Sequence, residues 1–281
     1  MKIMTKIPKS LWKKKINISS TIDVLLDKKP IVYWSHENET TNNFGDAINP
    51  FLLQKLIHKE PVHSSTVLNL LFKPQLYFIG SILDNLCTFN AVVMGSGFKK
   101  EKSKVLIKPK KVFAVRGPLT RKIFIDYGIE CPEVYCDPAL LLPEFIPNKQ
   151  DIKVYDVGII AHYIDKKVLN DIKIEGKYKI KILNIEDNPF KFVDELTQCK
   201  TIFSSSLHGI IIAHAYNIPA TWIKLSENVK GEGFKFRDYY ASVGEKDIVC
   251  YEVEHVLDLE KGISLSKTYN TKKIPNHSKM H

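Results

Sequence analysis

TIFSSSLHGIIIAHAY, residues 201–216, begins as an apolar strand, breaks at three serines and resumes as an apolar helix. PATWIKL (219–225) then reads as a further strand. A strand, a helix and a second strand in succession form a crossover unit, and crossovers build parallel sheets. One residue in this corner is out of character. His208 stands in the first turn of an otherwise greasy helix, either packed against a neighbour under a serine cap or aimed at an anion.

The same alternation recurs on both sides. IVYWS (31–35) precedes a helical DAINPFLLQKLIHK (46–59). LYFIGS (76–81) and AVVMGSG (91–97) are short apolar runs that end in glycine or serine. VFAVRG (112–117) leads into PLTRKIFIDYG (118–128), with proline at the helix start and glycine at its end, and EVYCD (133–137) follows as a strand. A second series contains YDVGIIAHY (155–163), KIKILNI (179–185) and the helical PFKFVDELTQC (189–199). LLPEFIPNKQDIK (141–153), with two prolines and a polar turn, suits a linker. The fold class predicted is α/β, with two doubly wound domains facing across a cleft: residues 1–147, residues 148–265 carrying the SSSLHG corner, and a disordered tail over 266–281.

With 281 residues and 44% hydrophobic content, the chain has material for two modest cores. It contains no apolar run of about 18 residues, the length that spans a bilayer. MKIMTKIPKSLWKKKINISS (1–20) is basic without an apolar signal core, so cytoplasmic residence is expected. Five scattered cysteines with no CxxC pair predict reduced thiols rather than disulfides or a zinc site. Of the net charge of +10, residues 1–150 carry +9 (22 basic, 13 acidic). That field suits an anionic small molecule, an anionic membrane surface or nucleic acid. No RNA-binding or helix-turn-helix signature supports the last. KSLWKKKI (9–16) is a candidate contact for anionic lipid at the inner face of the plasma membrane, with a solvated basic tail as the plainer reading.

Ligands of open parallel sheets bind at the carboxyl ends of the strands, and the polar residues of this chain collect there. Asn43, Gly45 and Asp46 follow the first strand. Gly45 lets backbone approach a ligand closely. Asp46 is a candidate base or a simple helix cap. Ser96 lies in the Gly95–Gly97 turn. Arg116 ends a strand as a candidate bidentate grip on carboxylate or phosphate, or else pairs with an acid such as Asp137. Asp137, ahead of Pro138, is a second candidate base or a turn residue. His162 ends a strand of the second series. Ser204, Ser205, Ser206 and His208 form the sharpest candidate, because a helix N-terminus presents unpaired amides and partial positive charge to an anion. His214, further along the same helix, reads as core. Lys224, Lys230, Lys235 and Arg237 lie in KLSENVKGEGFKFRDYYASVG (224–244), a phosphate clamp or a mobile surface loop.

Assembled, these stretches resemble the polysaccharide pyruvyl transferase family. The resemblance rests on NFGDAINPFLLQKL (43–56), GSG (95–97), VRGPLTRKIFIDYGIECPEVYCDPALLLP (115–143), IIAHYID (159–165), FVDELTQCKTIFSSSLHGIIIAHAYNIPATWIKL (192–225) and GEGFKFRDYY (231–240). It looks closest to the branch of bacterial capsule and exopolysaccharide synthesis. The resemblance implies two Rossmann-like halves, as in GT-B glycosyltransferases. It also implies transfer of the pyruvyl group of phosphoenolpyruvate to sugar hydroxyls as a ketal. Phosphoenolpyruvate would be the donor substrate, with no cofactor and no metal, and a sugar or lipid-linked oligosaccharide the acceptor, bound on the basic N-terminal side. Arg116 matches the family's VR arginine, implied to bind the donor. Leu207-His208 match its Leu-His pair, with His208 implied as acid. Where many relatives carry arginine before that pair, this chain has Ser206, so an anion grip must come from Lys224, Lys235 or the serine-lined helix end. Two rival readings are a glycosyltransferase that uses a nucleotide sugar and a glycan-binding protein without turnover.

Overall fold

The computed structural model describes residues 16–35, 43–68, 73–148 and 152–269. Most of the basic segment 9–16 and the tail beyond residue 269 lie outside them.

The first half contains α1 (Ile18–Leu25), β1 (Ile31–Tyr33), α2 (Phe44–Ile57), β2 (Val62–His63), β3 (Gln75–Tyr77), β4 (Ala91–Met94), β5 (Lys111–Ala114), α3 (Pro118–Asp126) and α4 (Leu142–Phe145). The second begins with β6 (Tyr155–Ile160), α5 (Lys166–Asp171), β7 (Lys173–Glu175), β8 (Ile180–Leu183), α6 (Pro189–Thr197) and β9 (Cys199–Ser204). It continues with α7 (Leu207–Ala215), β10 (Ala220–Lys224), α8 (Phe234–Ser242), β11 (Tyr251–Glu252), β12 (Val256–Asp258) and α9 (Leu259–Leu265).

The strands form two five-stranded parallel sheets, β2-β1-β3-β4-β5 and β11-β10-β9-β6-β8, and a small β12-β7 pair. Counted in chain order within each sheet, both have the doubly wound order 2-1-3-4-5. In that order the crossovers change direction between the first and third strands, and a crevice opens there at the carboxyl ends. The two crevices fall after β1 and β3 in one sheet and after β6 and β9 in the other.

Each half's helices bury a stripe. Phe44, Ile48 and Leu52, spaced by four, put α2 into the core, and burial of side chains of this size stabilises by about 2 kcal/mol each. The Phe44 ring meets Phe192 of α6 at 5.0 Å, so α2 packs on the second half. One buried cluster accordingly draws Val32, Ile48 and Leu52 together with Ile160, Leu183 and Ile211.

Four expectations are corrected. EVYCD (133–137) pairs only through an isolated bridge between Val115 and Tyr135, because Pro132 and Pro138 bracket it and remove donors. The stretch 141–153 is no free linker over its first part: Leu142 and Ile146 are buried, and the Tyr216 hydroxyl donates to the Ile146 carbonyl at 2.6 Å. The aromatic stretch after Gly233 is helix α8 rather than a surface loop, with Phe234, Phe236, Tyr239 and Tyr240 buried. Residues 266–269 of the expected tail are docked, with Lys267 bridging Ala220 and Tyr269 packed edge-on to His214 at 5.1 Å.

Candidate active site

Both crevices open into one cavity of about 210 Å³. Ser35 follows β1, Gly80 and Ser81 follow β3, His162 and Tyr163 follow β6, and Ser206, Leu207 and His208 follow β9. Asn43 and Asp46 reach it from α2, and Lys99, Lys230 and Lys235 from loops and α8.

The N-termini of α2 and α7 converge here. Neither Asn43 nor Ser206 makes a side-chain cap bond to its helix. First-turn amides carry partial positive charge that a ligand's anion can meet. The two turns are in contact: a Cβ built on Gly45 falls within 2.5 Å of three atoms of the His208 imidazole. Only glycine at 45 lets that ring lie on the helix backbone.

Each corner is fixed from behind. The Ser204 hydroxyl donates to the Ser206 carbonyl at 2.8 Å and accepts from the Ser206 amide at 3.0 Å, which knots the β9–α7 turn. Asn49 donates to the Gly45 carbonyl at 2.6 Å and accepts from the Ile79 amide at 3.0 Å, tying the start of α2 to the end of β3. The Ser35 amide donates to Asp46 Oδ1 at 3.0 Å. Asn49 gave no signal in the sequence, since a mid-helix asparagine reads as surface until its partner is known.

The electrostatics are cationic. Burial, followed by the Lys235 ammonium and the Arg116 guanidinium, pushes His208 down to about 3. Burial, then Lys235, His208 and Lys99, pushes His162 down to about 3 as well. Both imidazoles are therefore neutral near pH 7. His208 Nε2 is buried without a hydrogen-bond partner among the described residues. His162 Nδ1 accepts from the Ile164 amide at 3.4 Å.

The other predicted residues stand outside this cavity. Arg116 is completely buried behind it, and it pairs with Asp238 rather than Asp137. Its Nε donates to Asp238 Oδ2 at 3.0 Å, Nη1 to the Ser81 hydroxyl at 2.6 Å and Nη2 to the Phe98 carbonyl at 2.7 Å. A Cβ on Gly97 would lie 2.5 Å from its Cζ, so that turn too is built around the guanidinium. Arg116, fully buried, braces Ser81 and ties it to Asp238 of α8. Asp137 caps the turn at Pro138–Leu141 through the Ala139 amide at 3.1 Å. It is sealed from the cavity, and burial pushes it up to about 6. The Ser96 hydroxyl donates to the Tyr77 carbonyl at 3.1 Å, a role inside the sheet. Ser205 accepts the His162 amide at 2.8 Å and, with Lys224, faces a neighbouring cavity. Lys224 is paired there with Glu227 and Glu252. His214 is core, its Nδ1 3.0 Å from the Tyr239 hydroxyl. Lys99 was missed, because one lysine in a basic half carries no mark of its position.

Among the described residues no group of three or more His, Cys, Asp or Glu is arranged to hold a metal ion, and no helix is long and apolar enough to cross a membrane.

Residues 25–227 match the polysaccharide pyruvyl transferase family. The chain is 31% identical to an uncharacterised protein of Acanthamoeba polyphaga mimivirus over 212 residues, 73% of this chain and 72% of that protein. It is 26% identical to the succinoglycan biosynthesis protein ExoV of Rhizobium meliloti (strain 1021) over 231 residues, 75% of this chain and 64% of that protein. Every cavity residue from Ser35 to His208 lies inside the family match, whereas Lys230 and Lys235 lie beyond it.

Proposed function

Because the chain belongs to the polysaccharide pyruvyl transferase family, we propose that it transfers the pyruvyl group of phosphoenolpyruvate to two hydroxyls of a sugar in a cell-surface polysaccharide precursor. The observation that carries this reading is the meeting of two helix N-termini and three lysines around His208. Phosphoenolpyruvate has two anionic groups a few ångströms apart, a carboxylate and a phosphate, and two amide-lined turns with nearby ammoniums suit that spacing of charge. The two sheets act as Rossmann-like halves, divided near residue 147, with the donor between them.

The reaction balances as follows. The methylene carbon takes a proton, a sugar oxygen bonds to the neighbouring carbon, and phosphate leaves. A second sugar oxygen then closes the ketal. Of the two hydroxyl protons released, one is matched by the new methyl group and one by phosphate. His208 is the acid. Its pKa of about 3 leaves it neutral near pH 7, and a bound dianion raises that pKa, since opposite charge favours the imidazolium. Donor binding thus loads the proton that the first step uses. Asp46, which lines the cavity, is the base for the attacking hydroxyl. Asp137 is sealed away and is not. Lys235, Lys230 and Lys99 supply cationic charge to hold the donor.

A thermal-shift titration with phosphoenolpyruvate, beside UDP-, GDP- and CMP-sugars, tests this on wild type and Lys235→Ala. A ligand that binds only the folded state raises the melting temperature. Stabilisation by phosphoenolpyruvate, weakened in Lys235→Ala, is expected. Stabilisation by a nucleotide sugar alone replaces this reading with glycosyl transfer.

A further inference from the structure

A second cavity, of about 320 Å³, adjoins the first, and its chemistry is the reverse. The first is lined by three cations and one carboxylate. The second is lined by Lys224 and Arg237 against four carboxylates, Asp165, Glu227, Glu232 and Glu252. Trp222 and Phe236, stacked 4.5 Å apart at 7°, give it an apolar wall. Such a lining repels phosphate. It suits a neutral ligand with an apolar face and many hydroxyl donors, since an ionised carboxylate only accepts hydrogen bonds.

Asp165 is the group that points to a ligand. It is completely buried, its Oδ1 accepts the Ser226 hydroxyl at 2.6 Å, and its Oδ2 has no partner among the described residues. A buried carboxylate oxygen left unpaired costs free energy that a donated hydroxyl would recover.

The two cavities meet at single residue steps. Ile164 lines the first and Asp165 the second, Ser206 the first and Ser205 the second, and both share Val229. Consecutive Cα atoms are about 3.8 Å apart, so the two cavities lie side by side.

We infer that the second cavity is a pyranose subsite in which Asp165 Oδ2 accepts a sugar hydroxyl. Resting on the pyruvyl-transfer reading, it seats the acceptor in the second half, not on the basic N-terminal side that the sequence suggested, with its remaining hydroxyls turned toward the donor.

The test uses saturation-transfer NMR on the full chain with methyl glycosides of glucose, galactose and mannose, and separately with UDP. Asp165→Asn keeps the Ser226 bond at Oδ1 and converts Oδ2 from acceptor to donor. At least one glycoside should show saturation transfer, with affinity falling about tenfold or more in Asp165→Asn, as for loss of a charged hydrogen bond. Phosphoenolpyruvate stabilisation should be the same in both proteins. Failure of all three glycosides, or equal glycoside affinity in wild type and variant, overturns the assignment. UDP binding that is lost in Asp165→Asn overturns it in favour of a nucleotide ribose. Glycoside binding without any effect of phosphoenolpyruvate leaves the subsite standing and refutes the donor instead.

Discussion

Gly45→Ala tests the contact on which the site is built. The added methyl would sit within 2.5 Å of three atoms of the His208 ring, about 1 Å or more inside ordinary contact. Two effects then oppose. Alanine in a helix is better than glycine by about 1 kcal/mol. Overpacking a filled position costs about 1–3 kcal/mol. His208 is only 8% exposed and cannot swing clear into solvent, so overpacking wins by about 0–2 kcal/mol. For a domain of this size that lowers the melting temperature by up to about 5 °C. The larger effect is on ligand. A ring displaced by 1 Å loses its charge-assisted bond to the donor, which weakens phosphoenolpyruvate binding about 10- to 100-fold. Calorimetric titration and thermal denaturation read the two quantities. If propensity alone governed, the melting temperature would rise by about 3 °C and affinity would not change. That result would refute the packing of His208 on Gly45.

Three further outcomes follow from the same geometry. Arg116→Met should destabilise by about 3–5 kcal/mol in denaturant titration, because it leaves Asp238 charged and buried. Arg116→Met with Asp238→Leu should recover part of that loss, and equal losses in the single and double variants would contradict the buried pair. Stability should fall as pH drops below about 6.5. His162 and His208 are pushed down to about 3 and His214 to about 4, so the unfolded chain binds more protons there than the folded one. Asp137, pushed up to about 6, opposes one of these three between pH 6 and its ordinary range. The net uptake of about two protons corresponds to about 2.7 kcal/mol per pH unit at its steepest, and a melting temperature that is flat from pH 7 to 5 would contradict it. Lys235→Ala should raise the His208 and His162 pKa values, read by imidazole NMR titration, because the ammonium depresses both.

Much of the architecture was legible because its signals are local. The apolar runs of β1, β3, β4, β6 and β9 each end in glycine or a polar residue, and that pattern alone places the cleft residues at strand ends. The Ser-Leu-His corner and the Asn-Phe-Gly-Asp turn were readable for the same reason. What escaped depends on partners distant in the chain. Arg116 ends a strand whether its fork faces a ligand or Asp238, 122 residues later. Lys224 and Lys235 are equivalent as lysines, and only the turn into α8 sends one to each cavity. The helix itself was hidden because Phe234, Phe236, Tyr239 and Tyr240 are buried around most of its circumference, which erases amphipathic periodicity.

A crystal structure of the full chain with phosphoenolpyruvate tests whether the donor sits against His208. The donor should lie between the first turns of α2 and α7, with an anionic oxygen about 2.7–3.2 Å from His208 Nε2 and Lys235 turned toward it. Phosphoenolpyruvate bound in the acidic cavity beside Asp165, or not bound at millimolar concentration while a nucleotide sugar occupies the cleft, would contradict that placement.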